Sequence, residues 1–352
     1  MNQYAAAQRS HSNSRDVVCD LRSDTVTLPD PAMLQAMASA DLGDDVYGED
    51  PSVNRLETVV AERTGKERAL FVPSGTMSNL LAVLSHCGRG EEVLLGKAYH
   101  VNAYEAAGAS VLGGVALCPL PIAADGALEA ADIEAAIKPD DSHMPVTRLL
   151  SLENTHYGKA ISLDRLRTAT EVARRHGLAV HLDGARFFNA VTELKCEPTE
   201  LAALFDTVSI CLSKGLGTPA GSVLTGCEAV IARARRLRKM LGGGMRQAGL
   251  LAAAGLYALD NNVARLSEDH HKAEELADRL IRLDMGRVEH ATNMVFFTPS
   301  EPIHSSLRSA LASDGIIIGG GASGAIRLVL HKDVDAGSLS SVEASLARFK
   351  AA

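Results

Sequence analysis

The stretch LAVHLDGARFFNA, residues 178–190, is an apolar segment that reaches an acid and then continues into a helical pattern. A second stretch, TVSICLSKG at residues 207–215, is again apolar and ends on a lysine flanked by small residues. Continuous apolar runs of this kind are typical of strands that are covered on both faces. In an open α/β sheet, ligands bind beyond the carboxyl ends of the strands. The two stretches therefore predict a buried, largely parallel sheet with Asp183 and Lys214 at its ligand-binding edge.

Strand-like and helix-like segments alternate from about Val17 to Gly226. Apolar runs predict strands at 69–72, 93–95, 111–117, 148–152, 178–182, 207–212 and 222–224. Helical patterns lie between them at 51–64, 74–87, 132–137 and 163–176. This alternation indicates an α/β layer. Residues 227–283 are mostly helical around the glycines 242–244, and the remainder predicts a small α+β unit with strands near 294–297, 316–318 and 326–330.

The composition is that of an ordinary globular protein. The chain has 352 residues, 46% of them hydrophobic, and a net charge of −8, so nucleic acid is not expected as a partner. No two of its six cysteines form a C-x-x-C pair. This argues against a zinc site and a disulfide scaffold and favours a location in the reducing cytoplasm. No apolar run reaches the roughly 18–20 residues of a membrane span. Residues 1–16 are polar and predict a disordered tail, with a transit peptide as the alternative.

Two loops are candidates for binding phosphate. The loop 73–76, with Ser74, Gly75 and Thr76, lies between a predicted strand and a helix, so N–H groups at the helix start offer an anion site; an ordinary N-cap is the alternative. The loop GGGASG, residues 319–324, satisfies G-x-G-x-x-G, but a strand-like segment follows it where a dinucleotide fingerprint requires a helix. A non-enzymatic nucleotide-binding module is therefore the less favoured interpretation.

An anion site, a strand-end acid and a strand-end lysine about 30 residues later are together the parts that a pyridoxal phosphate (PLP) enzyme needs. The lysine binds the cofactor as a Schiff base, the acid pairs with the pyridine nitrogen, and the helix N–H groups hold the phosphate. Each residue taken alone is also compatible with a solvated strand end. The prediction depends on the combination.

Seven motifs make the chain similar to a known family. They are DLRSDTVTLP (20–29), GDDVYGEDPSVNRLE (43–57), SGTMSNL (74–80), SLENTH (151–156), HLDGARFFNA (181–190), ICLSKGLGTPAGS (210–222) and GGGMRQAG (242–249). With them the chain resembles the low-specificity L-threonine aldolases, a branch of the fold-type-I PLP enzymes, from Asp20 to about Arg348. Tyr157 departs from the pattern, since the family often carries Asn there.

The sequence pattern and the resemblance together predict three parts, and the extension before Asp20 is longer than the family needs. A tail, residues 1–16, would precede a PLP-binding large domain, residues 17–250, with a mostly parallel seven-stranded sheet flanked by helices. A smaller C-terminal α+β domain, residues 251–352, would follow. The family also implies a homotetramer, or at least a dimer, with active sites shared between subunits.

The resemblance further implies roles for individual residues. Lys214 and Asp183 would be catalytic, together with His100, which would stack on the cofactor ring, and His143, near the substrate hydroxyl. Cofactor binding is expected from Gly75, Thr76, His100, Asp183, Arg186, Lys214 and, from a neighbouring subunit, Arg246. Substrate binding is expected from Ser23, Tyr47, His143, Arg186 and Arg327, with Ser23 and the two arginines on the carboxylate. No metal ligand is expected. Either histidine could be the catalytic base, directly or through water.

The activity implied is reversible cleavage of L-threonine, L-allo-threonine and related β-hydroxy-α-amino acids to glycine and an aldehyde, which is acetaldehyde for the threonines. Another fold-type-I reaction, aminotransfer or β-elimination, is the alternative. Serine hydroxymethyltransferase would need folate-binding segments that this shorter chain lacks. The sequence leaves open the preferred side chain and the preference between the two threonines. The basic run 233–239 is interpreted either as a solvated face or as an interface helix.

Overall fold

The computed structural model describes residues 17–300, 303–319 and 324–351. Two compact units can be distinguished. The larger is Pro29–Val263, and the smaller contains the described residues of 17–28 and 264–351. The domain boundaries predicted at residues 16 and 250 stay predictions. Within the described ranges, no helix has the length and apolar character needed to cross a membrane.

The elements of the described chain are as follows. The strands are β1 (Cys19–Asp20), β2 (Arg68–Val72), β3 (Glu91–Gly96), β4 (Ala116–Leu120), β5 (Val146–Glu153), β6 (Ala179–Gly184), β7 (Thr207–Cys211), β8 (Ser222–Gly226), β9 (Gly286–Ala291), β10 (Met294–Pro299), β11 (Ile316–Ile317) and β12 (Ile326–Val329). The helices are α1 (Pro31–Ala38), α2 (Pro51–Thr64), α3 (Gly75–His86), α4 (His100–Ala103), α5 (Gly108–Gly113), α6 (Ala130–Ala136), α7 (Leu163–Arg175), α8 (Phe187–Leu194), α9 (Pro198–Ala202), α10 (Glu228–Met240), α11 (Gly249–Asn261), α12 (Leu266–Leu283), α13 (His304–Ser313) and α14 (Ala336–Ala351). Two 3-10 turns are Asp24–Val26 and Asp45–Tyr47.

The larger unit is built on a seven-stranded sheet with the order β2-β8-β7-β6-β5-β3-β4. All neighbouring pairs from β7 to β4 are parallel, whereas β8 runs antiparallel to both β7 and β2. Six strands therefore point the same way. Every residue of β7 and β8 is buried, and neither strand contains a charged side chain. The predicted fold class, a mostly parallel seven-stranded sheet with helices and a smaller C-terminal part, is confirmed.

Local sequence signals determine where the helices around this sheet begin and end. The Asp50 side chain accepts from Val53 N, Pro51 is the first residue of α2, and Gly65 ends the helix at φ 64°. Ser74 caps α3 in the same way, by accepting from Met77 N. The cap places the start of α3 directly after β2, at the carboxyl end of that strand.

One strand prediction in the larger unit is partly wrong. The apolar run 111–117 contains the end of α5 and the start of β4, separated by Gly114 at φ 66°. Val111 and Leu112 are exposed. The run therefore joins two elements, because a left-handed glycine ends the helix inside it.

The smaller unit contains the antiparallel sheet β12-β10-β9 and the parallel pair β1-β11. The strands predicted near 294–297, 316–318 and 326–330 are present, and β9 is an additional strand. An apolar core that includes Leu21, Phe297 and Leu328 fills this unit. The strand expected after the glycine loop is β12, whereas residues 320–323 of the loop lie outside the described chain.

Candidate active site

The carboxyl ends of the parallel strands bring several of the predicted residues to one edge of the large sheet. The loop 74–76 follows β2, His100 follows β3, Asp183 lies at the end of β6, and Lys214 follows β7. Because these four strands run in the same direction, the four positions share an edge. Ligands bind at this edge of open α/β sheets.

Asp183 is a buried carboxylate at the centre of this edge. Its side chain accepts from Ala185 N at 3.0 Å and from Asn79 Nδ2 at 2.8 Å. The following glycine is required by close packing, since a Cβ on Gly184 would lie 2.5 Å from the carbonyl oxygen of Ser209. The sequence Asp-Gly therefore fixes a charged group where β6 and β7 are packed tightly.

His100 lies beside this carboxylate at the start of α4. Its backbone N–H donates to Glu153 Oε2 at 2.7 Å, and its Nδ1 lies 2.8 Å from Glu105 Oε1. The hydrogen bond with Glu105 raises the pKa of His100, burial opposes that shift, the charge of Asp183 adds to it and the charge of Lys214 reduces it. The charges of Asp183 and Lys214 thus both act on this imidazole.

Glu105 is a buried carboxylate that the sequence prediction missed. Burial raises its pKa, and its hydrogen bond with His100 partly offsets that effect. Asn79 Nδ2 donates to Glu105 Oε1 as well as to Asp183, at 2.8 Å in both cases. The sequence signal that could have pointed to Glu105 is its partner Asn79, a polar residue on the buried face of α3. Asn79 lies inside the motif SGTMSNL (74–80).

His100, Glu105 and Asp183 also offer three metal-ligating atoms within 4.8 Å of one another. The two carboxylates already accept from the amide of Asn79, and Glu105 faces the ring nitrogen of His100. A cation at these oxygens would compete with three N–H donors. The composition of the cluster therefore fits hydrogen bonding to a ring nitrogen better than it fits a metal.

The start of α3 is the position at which the sequence predicts an anion site. Gly75 and Thr76 are the first residues of the helix, so their N–H groups have no acceptor within it. A Cβ on Gly75 would meet only ordinary contacts, 3.4 Å from Cys211 Sγ and 3.6 Å from Ser222 Oγ. Packing against the protein therefore does not explain this glycine, whereas a phosphate at the helix start would.

The residues at this edge fit PLP. The helix start provides N–H groups and the Thr76 hydroxyl for a phosphate, Asp183 provides an acceptor for a pyridinium N–H, and Lys214 provides an amine. Arg186 lies three residues after Asp183, at the start of α8. In addition, the buried Thr155 Oγ1, after β5 at the same edge, has no hydrogen-bond partner within the described chain. Such an atom is a candidate to bind a ligand.

The smaller unit brings two of the predicted carboxylate ligands together. Arg327 on β12 donates from Nη2 to the carbonyl oxygen of Arg22 at 3.3 Å. Ser23 follows Arg22, and its Oγ accepts from Thr25 N at the start of a 3-10 turn. Ser23 and Arg327, 304 residues apart, are thus neighbours in space.

Three other predicted residues lie elsewhere in the larger unit. His143 is 89% exposed and bonded to Asp141, and it precedes the amino end of β5, away from the carboxyl edge. Arg246 pairs with Asp44 at 2.9 Å, and Tyr47 is 75% exposed. A single chain therefore does not bring His143 to Lys214, and it leaves Tyr47 on the surface.

Tyr157, the departure noted in the sequence, lies next to this edge. It has a φ of 47°, its ring packs edge-on against His156 with centroids 4.5 Å apart, and its hydroxyl is 3.4 Å from that of Tyr104. The Tyr104 ring is 5.7 Å from the His100 ring. Tyr104 thus adjoins His100, Tyr157 adjoins Tyr104, and both tyrosines are partly exposed.

A lysine after one strand, a buried acid at the end of the adjacent strand and a helix N-terminus at the same edge match what is expected of a fold-type-I PLP enzyme. A family model described as beta-eliminating lyase matches residues 20–301. The low specificity L-threonine aldolase of Escherichia coli (strain K12) is 50% identical over 332 residues, which cover 94% of this chain and 99% of that protein. The probable low-specificity L-threonine aldolase 2 of Arabidopsis thaliana is 46% identical over 90% of this chain and 92% of that protein.

The solved threonine aldolase of Leishmania major has the same fold, with a TM-score of 0.80 at 24% identity over 94% of this chain and 99% of that one. The chain belongs to the beta-eliminating lyase family and, within it, to the low-specificity L-threonine aldolases. It is a PLP-dependent carbon–carbon lyase. The family, enzyme class, cofactor and threonine cleavage predicted from the sequence are confirmed.

Proposed function

We propose that the chain cleaves both L-threonine and L-allo-threonine, and related β-hydroxy-α-amino acids, to glycine and an aldehyde at the carboxyl edge of its large sheet. The observation that carries the proposal is the arrangement of Lys214, Asp183, His100 and the start of α3 at that edge. Lys214 binds the cofactor covalently, and Gly75 and Thr76 hold its phosphate. Asp183 accepts a hydrogen bond from the pyridine nitrogen.

When bound, PLP supplies an electron sink for the carbon–carbon bond that breaks. The protein supplies orientation and proton transfer. Arginine side chains that hold a carboxylate with two parallel hydrogen bonds restrict rotation of the substrate. Arg327, Ser23 and Arg186 are proposed for this task, and the adjacency of Ser23 and Arg327 in the smaller unit supports the pairing of these two.

We assign proton transfer from the substrate hydroxyl to His100, directly or through a water molecule. Its Nδ1 faces Glu105, which leaves Nε2 available for the substrate. His143 lies outside this edge in the single chain, so its proposed place near the substrate hydroxyl would require a neighbouring subunit. Stacking of His100 on the cofactor ring is compatible with either role.

A homotetramer with shared sites, in the cytoplasm, completes the proposal. Arg246 and Tyr47 lie close together, since Asp45 N donates to the carbonyl oxygen of Arg246 at 3.0 Å. Both have exposed side chains on the larger unit, and the exposed Leu34, Leu42 and Leu250 lie on the same unit. Exposed apolar side chains together with an arginine are typical of protein interfaces. A neighbouring subunit would then receive Arg246 at its phosphate site.

The test is aldehyde release by the purified protein from each of the two threonines, compared with His100→Asn and His143→Asn variants. Release from both substrates is expected, and kcat should fall by about a hundredfold or more for His100→Asn. No aldehyde from either substrate, with pyruvate formed or the cofactor converted to its amine, would move the chain to β-elimination or aminotransfer. A variant of His100 that keeps kcat while the His143 variant loses it would reverse the assignment of the base.

A further inference from the structure

A series of hydrogen-bonded side chains crosses the larger unit and reaches the candidate site. It begins at His86 and continues through Thr207, His181 and Asn79 to Glu105. The Thr207 hydroxyl lies 3.1 Å from His86 Nε2 and 2.9 Å from His181 Nδ1. His181 Nε2 lies 3.2 Å from Asn79 Oδ1. Asn79 then meets Glu105 and Asp183, as described above.

The direction of the hydrogen bonds follows from the chemistry of these groups. Burial lowers the pKa of His181 to about 4, so its ring is neutral at pH 7 and carries a single N–H. Asn79 Oδ1 can only accept, and therefore His181 Nε2 carries that hydrogen and Nδ1 accepts from the Thr207 hydroxyl. The Thr207 oxygen in turn accepts from His86 Nε2. The orientation of the Asn79 amide is fixed at both of its ends.

The amide of Asn79 separates two carboxylates that would otherwise repel each other. Oxygen atoms of Glu105 and Asp183 lie within 4.8 Å, and the charge of Asp183 contributes to the raised pKa of Glu105. Two like charges at this distance in a buried site favour protonation of one of them. The amide donates one N–H to each carboxylate and so offsets part of their repulsion.

Glu105 in turn determines the state of the His100 ring. A carboxylate at 2.8 Å from Nδ1 keeps a hydrogen on that nitrogen and leaves Nε2 facing the site. The charged groups that face His100 are Glu105, Asp183, Lys214 and, through its contact with the backbone N–H, Glu153. Of these, Glu105 is hydrogen-bonded to the ring itself, at Nδ1.

We propose that Glu105 and Asn79 are positioning residues of the aldolase reaction: Glu105 orients the His100 imidazole and makes it a stronger base, and Asn79 holds the carboxylates of Glu105 and Asp183 side by side. The inference rests on the proposed place of His100 and Asp183 at the cofactor. The Asn79 amide connects Asp183, the proposed partner of the pyridine nitrogen, with Glu105 and so with His100. His181 holds the orientation of this amide.

The test uses three variants of the full chain: Glu105→Gln, Asn79→Asp and, as a control, Asn261→Asp. Gln keeps an acceptor for His100 Nδ1 but removes the charge. Asp at position 79 keeps the shape, removes both N–H donors and adds a third carboxylate to the cluster. Asn261 makes one exposed hydrogen bond, to the Tyr257 carbonyl, and tests the same chemical change outside the site. Two properties are measured: the pH dependence of diethyl pyrocarbonate modification of His100 in the cofactor-free protein, read by peptide mass spectrometry, and the Kd for PLP from its visible absorbance.

We expect Glu105→Gln to lower the pKa of His100, so that modification reaches half its maximum at a lower pH. Asn79→Asp should raise the Kd for PLP about tenfold to a hundredfold, since hydrogen bonds to charged groups are lost, and Asn261→Asp should change neither property. If Asn79→Asp does not fold, Asn79→Ser, which is shorter and neutral, is expected to give the same direction. An unchanged His100 profile in Glu105→Gln, or an unchanged Kd in both Asn79 variants, would overturn the proposal.

Neither measurement requires turnover. If the parent protein releases no aldehyde, the proposed function fails, while the modification profile and the Kd still decide the role of Glu105 and Asn79. If the parent releases aldehyde and both properties are insensitive to the variants, only the positioning proposal fails. A kcat loss with an unchanged KM in Glu105→Gln would agree with a group that acts through His100.

Discussion

Arg238 and Asp45 form a buried ion pair that connects α10 to the 3-10 turn Asp45–Tyr47. Arg238 donates from Nη2 to Asp45 Oδ2 and from Nη1 to the carbonyl oxygen of Phe71, at 2.7 Å in both cases. The two charged side chains are 5% and 2% exposed. Replacing Arg238 by Met preserves much of the apolar stem but leaves the Asp45 carboxylate buried without its guanidinium.

The size of the effect follows from these contacts. Breaking a buried pair by removing one partner costs about 3–5 kcal/mol, because the remaining charge is uncompensated. We expect Arg238→Met to reduce the free energy of unfolding by this amount. Since Asp45 N also donates to the Arg246 carbonyl, the segment with Tyr47 and Arg246 should loosen too, and the KM for threonine should rise.

The assay is urea unfolding followed by circular dichroism, at one protein concentration and with saturating PLP. Arg236→Met, an exposed arginine on the same helix, is the control and should stay within about 0.5 kcal/mol of the parent. The double variant Asp45→Asn with Arg238→Met should regain part of the loss, because no charge is then left unpaired. A loss below about 1 kcal/mol for Arg238→Met, the range of an exposed pair, would refute the reasoning.

Arg327→Lys is expected to raise the KM for L-threonine about tenfold while the Kd for PLP stays unchanged, because lysine cannot bind a carboxylate with two parallel hydrogen bonds. An equal rise in the KM and in the Kd would contradict the carboxylate role. The folded-state pKa of His181, about 4, lies below its unfolded value of about 6.5. The contribution of neutral His181 to the free energy of unfolding is therefore complete above pH 6.5 and is lost as the pH falls toward 4. His181→Gln, which does not titrate, should flatten the dependence of the urea midpoint on pH in that window, and an unchanged curve would be evidence against this. Gly249→Ala places a Cβ 2.5 Å from Asp50 Oδ1 and should cost about 1–3 kcal/mol, whereas Gly244→Ala, which meets only ordinary contacts, should be nearly neutral in thermal melts.

The edge of the sheet could be predicted from the sequence because its signals are local. Strands covered on both faces are continuously apolar, so the residues at which they end, Asp183 and Lys214, can be read directly from the pattern. The cap at Ser74 and the start of α3 depend on neighbouring residues only. For this reason the fold class and the central residues of the site follow from short stretches of sequence.

The partners of these residues could not be predicted in the same way. Glu105 meets Asn79 across 26 positions and Asn79 meets Asp183 across 104, and no local pattern encodes such pairs. Arg238 is one of a run of exposed-looking basic residues, and its burial depends on Asp45, 193 positions away. The pairing of β1 with β11 likewise joins residues that are far apart in the sequence, Cys19 with Ile316 and Asp20 with Ile317. Tertiary packing alone determines which polar residues become buried.

The central claim, that the carboxyl edge of the large sheet holds PLP on Lys214, is tested most directly by borohydride reduction of the PLP-loaded protein followed by peptide mass spectrometry. Reduction converts a covalent bond between the cofactor and a lysine into a stable one, so the modified residue can be identified. We expect a single pyridoxyl group on Lys214 and loss of the visible absorbance band in Lys214→Ala. Modification of a different lysine, or a band that persists in the variant, would contradict it.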